Sequence, residues 1–219
     1  AIQTSEIISK LESIIINEKP NAILVYGDTN STLGAAITAA KLNITLIHIE
    51  AGLRSFNKEM PEEINRIITD HMSNLLFCPS VNSKNNLNAE NIKKNIFVVG
   101  DVMYDIFKKF YSYFDTENKY GDYVLLTMHR AENTTPIMLQ KRLKQISKIK
   151  IKIIYPLHPR TKQIINENKI SLPNNIMTID PVGWFDLMKL GRNAKFIITD
   201  SGGLQKESLW LKKYCITIR

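Results

Sequence analysis

Short runs of β-branched and other apolar residues alternate along the whole chain with longer segments of helical period, and few folds accept that alternation. The candidate strands are Ala22–Tyr26, Ile44–Ile49, Leu75–Cys78, Ile96–Val99, Tyr123–Thr127, Ile151–Tyr155, Ile176–Ile179, Phe196–Thr199 and Tyr214–Ile218. The candidate helices are Thr4–Asn17, Ser31–Leu42, Glu62–Ser73, Ser83–Ala89, Val102–Phe114, Pro136–Ile149, Thr161–Asn168, Phe185–Gly191 and Gly203–Leu211. Most strands are flanked by Gly, Pro, Asp or Asn, residues suited to turns. This is the signature of stacked βαβ units, so the expected fold class is α/β with parallel sheets. In such sheets ligands bind in loops at the carboxyl ends of the strands, and the chemistry is expected there.

With 219 residues, 44% apolar and 23% charged, the chain has room for one large domain or two small ones. No apolar run approaches the roughly 20 residues of a membrane helix, and Ala1–Glu6 lacks the basic and apolar regions of a signal peptide. A cytoplasmic protein is expected. Cys78 and Cys215 lie far apart without C-x-x-C spacing, so neither a metal site nor a disulfide framework is indicated.

The net charge of +8 is uneven: residues 1–110 carry a net −1 and residues 111–219 a net +9. A basic half attracts nucleic acid or a strongly anionic small molecule such as a nucleotide diphosphate, and it also suits a solvated lysine-rich helix face. Lys141, Arg142, Lys144, Lys148, Lys150 and Lys152 crowd one stretch with no interleaved aromatics, which argues against a base-stacking platform. The charge balance changes within Lys108–Asp122, and a boundary there divides the chain into domains 1–110 and 111–219. The chain opens on a helix without a companion strand and closes on a strand without a covering helix. It reads as the middle of a longer protein.

The strand-end segments hold the candidate residues. After the first strand comes Gly27-Asp28-Thr29-Asn30-Ser31-Thr32, in which the glycine permits a turn and Asp28 serves either as a turn residue or as an acid. After the second comes His48-Ile49-Glu50-Ala51-Gly52-Leu53-Arg54-Ser55. Asp28 and Glu50, at adjacent strand ends, suit proton abstraction and donation, since neighbouring acids push their pKa values apart. Met60-Pro61-Glu62-Glu63-Ile64-Asn65-Arg66 adds a third acidic element at a helix start. The i, i+4, i+8 spacing of Glu62, Arg66 and Asp70 equally suits an exposed ion-pair ladder. His71 reads as a surface histidine.

In the second half, His129-Arg130-Ala131-Glu132-Asn133-Thr134 and Pro156-Leu157-His158-Pro159-Arg160 each put a His and an Arg at a strand end, where they suit a phosphate or a proton shuttle. Thr199-Asp200-Ser201-Gly202-Gly203 then leads into a helix whose first N–H groups can meet an anion, with Glu207 one turn in to accept from ribose hydroxyls. Neither the mononucleotide nor the dinucleotide glycine fingerprint is present.

Taken in order, GDTNST, HIEAGLRS, MPEEINR, HRAENT, PLHPR and TDSGGLQKE resemble the non-hydrolysing UDP-N-acetylglucosamine 2-epimerase family, over roughly Tyr26 to Arg219. The wording VYGDTNSTL, EAGLRSFN, GDVMYD, IDPVGW and SGGLQKE looks especially like the branch acting on UDP-2,3-diacetamido-2,3-dideoxyglucuronate. The resemblance implies two Rossmann-like domains in the B-type glycosyltransferase arrangement, with a UDP-sugar in the cleft between them. It implies inversion at sugar C2 through elimination of UDP and re-addition, without cofactor or metal, in a cytoplasmic homodimer serving polysaccharide precursor synthesis. By motif, Asp28, Glu50 and Glu62 become the acid/base candidates and His129 lies near the leaving phosphate. Arg66 supports the carboxylates, while Arg130, His158, Arg160, Ser201, Gly202, Gly203 and Glu207 bind the nucleotide. Relative to the family, the amino-terminal strand with its Gly-x-Arg-Pro-Glu type loop and everything after Arg219 are expected to be missing, so the fragment itself is expected to be inactive.

Two rival readings share the architecture: a B-type glycosyltransferase, which has less use for three acids, and a non-catalytic nucleotide-sugar-binding fragment. Binding of nucleic acid is not expected, because no recognition motif is present and an anionic ligand accounts for the charge.

Overall fold

Parallel strands need a covering layer on the sheet and a helical crossover between neighbours, and the sequence supplies both in regular alternation. The computed structural model describes residues 1–218; Arg219, the last residue of the second expected domain, lies outside them. Two compact units result, the first covering Ala1–Met103 and the second beginning at Tyr104.

The first unit runs α1 (Ile2–Glu18), β1 (Ala22–Tyr26), α2 (Asn30–Lys41), β2 (Thr45–Ile49), α3 (Pro61–Met72), β3 (Leu75–Cys78), α4 (Val81–Ala89) and β4 (Ile96–Val98). Its four strands form a parallel sheet in the order β1-β2-β3-β4. Thr29 caps α2 by accepting from Thr32 N–H, and Pro61 opens α3 with Glu62 and Glu63 in its first turn. Alternate strand residues point to one side: Val25 and Leu46 pack on Ala36 and Ala39, and Leu76 and Cys78 pack on Leu87 and Ala51. Between them, Leu24 and Tyr26 on the other face stay 48% and 59% exposed. Burial pushes the Cys78 thiol up to about 11, with Asp70 adding to the shift, so the thiol is inert packing rather than a nucleophile.

After α5 (Val102–Phe110), the second unit runs through a 3₁₀ turn (Tyr111–Phe114), β5 (Tyr123–Thr127), α6 (Pro136–Ile146), β6 (Lys152–Pro156), α7 (Pro159–Glu167), β7 (Ile176–Ile179), α8 (Trp184–Asn193), β8 (Ile197–Thr199), α9 (Gly202–Trp210) and β9 (Cys215–Thr217). Its sheet is parallel in the order β7-β6-β5-β8-β9. The chain moves outward from β5 to β7 and then returns to the other side of β5. Between β5 and β8 the winding reverses, which is where an open α/β sheet leaves a crevice. Both faces are covered. Val124, Leu126 and Met128 face Leu139 and Leu143 on one side, while Tyr123 and Leu125 face Met188 and Leu204 on the other.

Elements lie within a few residues of their sequence-based positions, and two deviations have local causes. The helix expected over Val102–Phe114 tightens to 3₁₀ from Tyr111, where Phe107 and Phe114 rings pack 5.4 Å apart. The helix expected to reach Ile149 ends at Ile146, because Asn175 Nδ2 takes up the Ser147 and Ile149 carbonyls at 3.2 and 2.8 Å.

Candidate active-site residues in the two units

Tyr26 and Ile49 are register partners, so the segments leaving β1 and β2 emerge side by side. Gly27, at φ +62, donates to the Ile49 carbonyl at 3.1 Å. Glu50 sits at φ +74, and its Oε2 lies 3.5 Å from where a Cβ on Gly27 would be. That backbone conformation is uncommon for a residue with a side chain, and it turns the Glu50 carboxylate towards the Asp28 turn. Asp28 and Glu50 are thus brought to one edge of the first unit.

Arg66 ties this edge to α3. Its Nε and Nη2 donate to Asp28 Oδ2 at 3.0 and 2.8 Å, and its Nη1 donates to Glu63 Oε2 at 2.5 Å. Asn65 Nδ2 holds the Asp28 carbonyl at 2.8 Å. Glu63 is 1% exposed and accepts from the Ser55 and Phe56 N–H groups at 2.9 and 2.8 Å. Burial works to raise its pKa, but those N–H groups, the Ser55 hydroxyl and Arg66 hold the carboxyl below the usual carboxylate range. Glu62 is exposed on the first turn of α3. Of the two adjacent glutamates, therefore, Glu63 organises the loop and Glu62 is the one open to solvent.

The spacing of Glu62, Arg66 and Asp70 does not make an exposed ladder. Arg66 turns to Asp28, and Asp70 is buried against His48, Arg54 and Gly52. A single helix spacing accommodates both outcomes; partners from β2 and from the turns after β1 and β2 decide between them. His71 stays on the surface, its Nδ1 2.9 Å from the Ile67 carbonyl oxygen.

In the second unit the loops leaving β5 and β8 meet at the switch point. Asp200 is buried, and its carboxylate accepts from the backbone N–H groups of His129 and Arg130 and from Asn133 Nδ2, at 2.9 to 3.2 Å. His129 Nδ1 lies 3.3 Å from Asp200 Oδ1. The loop is braced from below by the Tyr155 hydroxyl, which donates to the Met128 carbonyl at 2.8 Å. Arg160 Nη2 reaches the His129 carbonyl and Thr134 Oγ1 at 3.1 and 3.2 Å, so this arginine joins the ends of β6 and β5. Arg130 points to Glu132 at 3.8 Å.

Ser201 caps α9 by accepting from Leu204 N–H at 3.3 Å. Gly202 and Gly203 form its first turn, whose N–H groups have no intrahelical acceptor. A Cβ on Gly202 would meet open space, so the chain itself does not demand glycine there; a ligand approaching the backbone closely would. Glu207 is buried and accepts from Trp184 Nε1 at 2.6 Å. Burial raises its pKa, partly opposed by that bond and by Lys206. His158 caps α7, its Nδ1 accepting from the Arg160 N–H at 3.3 Å.

His129, His158, Ser201, Gly203 and Glu207 line one cavity of about 350 Å³ with apolar walls that include Val182 and Leu187. That volume falls within the range of small-molecule sites. Gly202, Arg130 and Arg160 lie outside its lining. Four residues that sequence reasoning did not place among the site residues organise the two edges: His48, Glu63, Asp70 and Asp200. Each lies inside a motif that was legible, HIEAGLRS, MPEEINR or TDSGGLQKE, or one turn beyond it, but nothing in spacing alone shows that they face inward.

Two parallel α/β units of this kind define the class of proteins with two Rossmann-like domains. The chain belongs to the UDP-N-acetylglucosamine 2-epimerase family, whose model matches residues 1–219. It is 47% identical over 234 residues to a UDP-N-acetylglucosamine 2-epimerase homolog of Methanococcus maripaludis, covering 99% of this chain and 65% of that one. It is 42% identical to a UDP-2,3-diacetamido-2,3-dideoxy-D-glucuronate 2-epimerase of Pseudomonas aeruginosa, covering 99% of this chain and 63% of that one. A crystal structure of Methanocaldococcus jannaschii UDP-GlcNAc 2-epimerase in complex with UDP-GlcNAc and UDP superposes with a TM-score of 0.85 at 39% identity, over 99% of this chain and 65% of that one. The chain thus spans somewhat less than two thirds of the length of these relatives. Among the described residues no helix is long and apolar enough to cross a membrane.

Proposed function

We propose that the protein to which these residues belong is a UDP-sugar 2-epimerase, inverting C2 of a UDP-2-acetamido sugar by eliminating UDP together with the C2 proton, then adding UDP back at C1 while a proton returns to the other face of C2. The observation that carries the reading is the pairing of Asp28 and Glu50 at adjacent strand ends, with Arg66 on Asp28. Inversion at a weakly acidic carbon needs a base on one face and an acid on the other, and a glycosyl transfer does not. Glu62 is the third acid of this set. In the second unit, the helix start at Ser201, Gly202 and Gly203 receives the diphosphate and Glu207 accepts from the ribose. His129 stabilises charge on the departing phosphate, and His158 shapes the nucleotide pocket. Arg130 and Arg160 add positive charge beside it. The working form in this reading is a cytoplasmic homodimer, and light scattering at twice the mass of one complete chain tests the dimer.

The deciding measurement is proton NMR in D2O with UDP-N-acetylglucosamine, and in parallel with the diacetamido-uronate analogue. Deuterium at C2 with a new manno-configured signal is expected, and the faster substrate identifies the sugar substituents. Asp28→Asn and Glu50→Gln are expected to bind UDP but to lose exchange. Retained exchange in both would remove them from the mechanism, and UDP binding without any exchange in the unaltered protein would favour a transferase or a binding module.

A further inference from the structure

His48 is a strand residue with a fully buried side chain, and each of its ring nitrogens meets an oxygen. Nδ1 lies 2.7 Å from Asp70 Oδ1, and Nε2 lies 2.8 Å from the Gly27 carbonyl oxygen. A carbonyl oxygen only accepts, so Nε2 bears a proton. Asp70 Oδ2 already accepts from Gly52 N–H at 3.1 Å and from Arg54 Nη1 at 2.7 Å, the company of an ionised carboxylate. Nδ1 therefore donates to Asp70 as well. Arg54 closes the set by a two-pronged contact with Glu90, both bonds at 2.7 Å. The set joins two basic and two acidic side chains, with His48, Asp70 and Arg54 packed out of water.

Buried ion pairs are poor sources of net stability compared with apolar packing of the same volume, so the place of this network calls for another account. Its ends supply one. His48 grips the carbonyl of Gly27, the residue before Asp28. Asp70 grips the N–H of Gly52, two residues after Glu50. Through one imidazole and one carboxylate, the turns carrying the two proposed acid/base residues are held in a fixed relation.

We propose that His48 is a positioning residue: protonated on both ring nitrogens, it clamps the Asp28 turn to the Glu50 turn by way of Asp70. The inference rests on the reading that Asp28 and Glu50 handle the C2 proton. His48 itself touches no reacting atom. Without the clamp, both carboxylates remain present while their spacing is lost, and displacements of about 1 Å cost on the order of a hundredfold in rate.

The test uses the complete protein to which these residues belong, with 15N-labelled histidine. Two ring N–H protons assigned to His48 at neutral pH, both protected from exchange, are expected; a single ring N–H overturns the clamp. Two variants then divide its ends. In H48N the amide occupies the place of Nδ1 and keeps Asp70 but does not reach Gly27. In H48Q the amide extends towards Gly27 and gives up Asp70. H48N is expected to move the Gly27 and Asp28 amide resonances and to lower C2 deuterium exchange on the order of a hundredfold at unchanged UDP affinity. H48Q is expected to restore most of those amide shifts. If H48N lowers only the melting temperature, with the Gly27–Asp28 resonances and the exchange rate unmoved, His48 is merely structural and the proposal fails. If the unaltered protein shows no exchange at all, the epimerase reading fails, and the ring protons and loop resonances still decide the clamp.

Discussion

Arg66 places two donors, Nε and Nη2, on a single oxygen of Asp28, while its Nη1 holds Glu63. One guanidinium thus joins the turn after β1 to the first turn of α3. Lysine has no planar fork and cannot meet both demands. A hydrogen bond to a charged group contributes roughly 1.5–3 kcal/mol, so Arg66→Lys is expected to lower C2 exchange by roughly ten- to a hundredfold. UDP affinity is expected to stay unchanged, because the proposed nucleotide contacts lie on the second unit; a calorimetric titration with UDP beside the NMR exchange assay separates the two.

Glu63 sets an acid limb on stability. Its carboxyl is held below its ordinary value in the folded state, so the ionised form favours folding. That contribution is fully present above the ordinary value of 4.5 and is lost as pH falls through the depressed folded value. Glu63→Gln is expected to lower the melting temperature at neutral pH and to flatten its decline below about pH 4.5. Melting curves of both proteins between neutral and acid pH check this, and parallel acid limbs would count against it.

Gly52 admits no side chain. It lies at φ +76, and a Cβ there would sit 2.3 Å from the Ser83 carbonyl oxygen, a backbone atom that cannot swing away. Gly52→Ala is expected to cost at least ~1–3 kcal/mol from the left-handed conformation alone, with the clash added. Chemical denaturation reads the loss, and because Gly52 N–H also meets Asp70, the His48 ring protons are expected to exchange faster in this variant.

Asp200 organises the second unit's cavity from beneath. Asp200→Ala leaves the N–H groups of His129 and Arg130 and the Asn133 amide without their acceptor. The buried Asn133 donor so stranded costs ~1–3 kcal/mol, and the His129 loop is expected to loosen. Hydrogen exchange at His129 and Arg130, with UDP affinity, measures it; unchanged protection at both amides would show that the loop holds itself.

The alternation of apolar runs was enough to place every strand within a few residues, because a strand buried between helices tolerates little but β-branched and aliphatic side chains. The strand-end rule put forward Asp28, Glu50, His129 and Ser201, and each of them follows the end of a strand within two residues. Glu62 and Glu63 show the limit: adjacent, identical and both near a helix start, they differ only in which way the helix turns them. Asp200 was legible as part of a strand-end motif, but its burial under His129 was not.

The class of fold and the segments that bear the chemistry follow from local pattern, since period and turn residues act over a few positions and are written linearly. Which carboxylates are exposed acids and which are buried braces depends also on contacts between distant residues, such as Gly52 with Asp70, 18 positions apart, or His129 with Asp200, 71 apart. Those pairings arise when strands take their order in the sheet and bring distant turns together. A buried charge is tolerated only where such a partner arrives, so the inward face of the site belongs to the assembled fold.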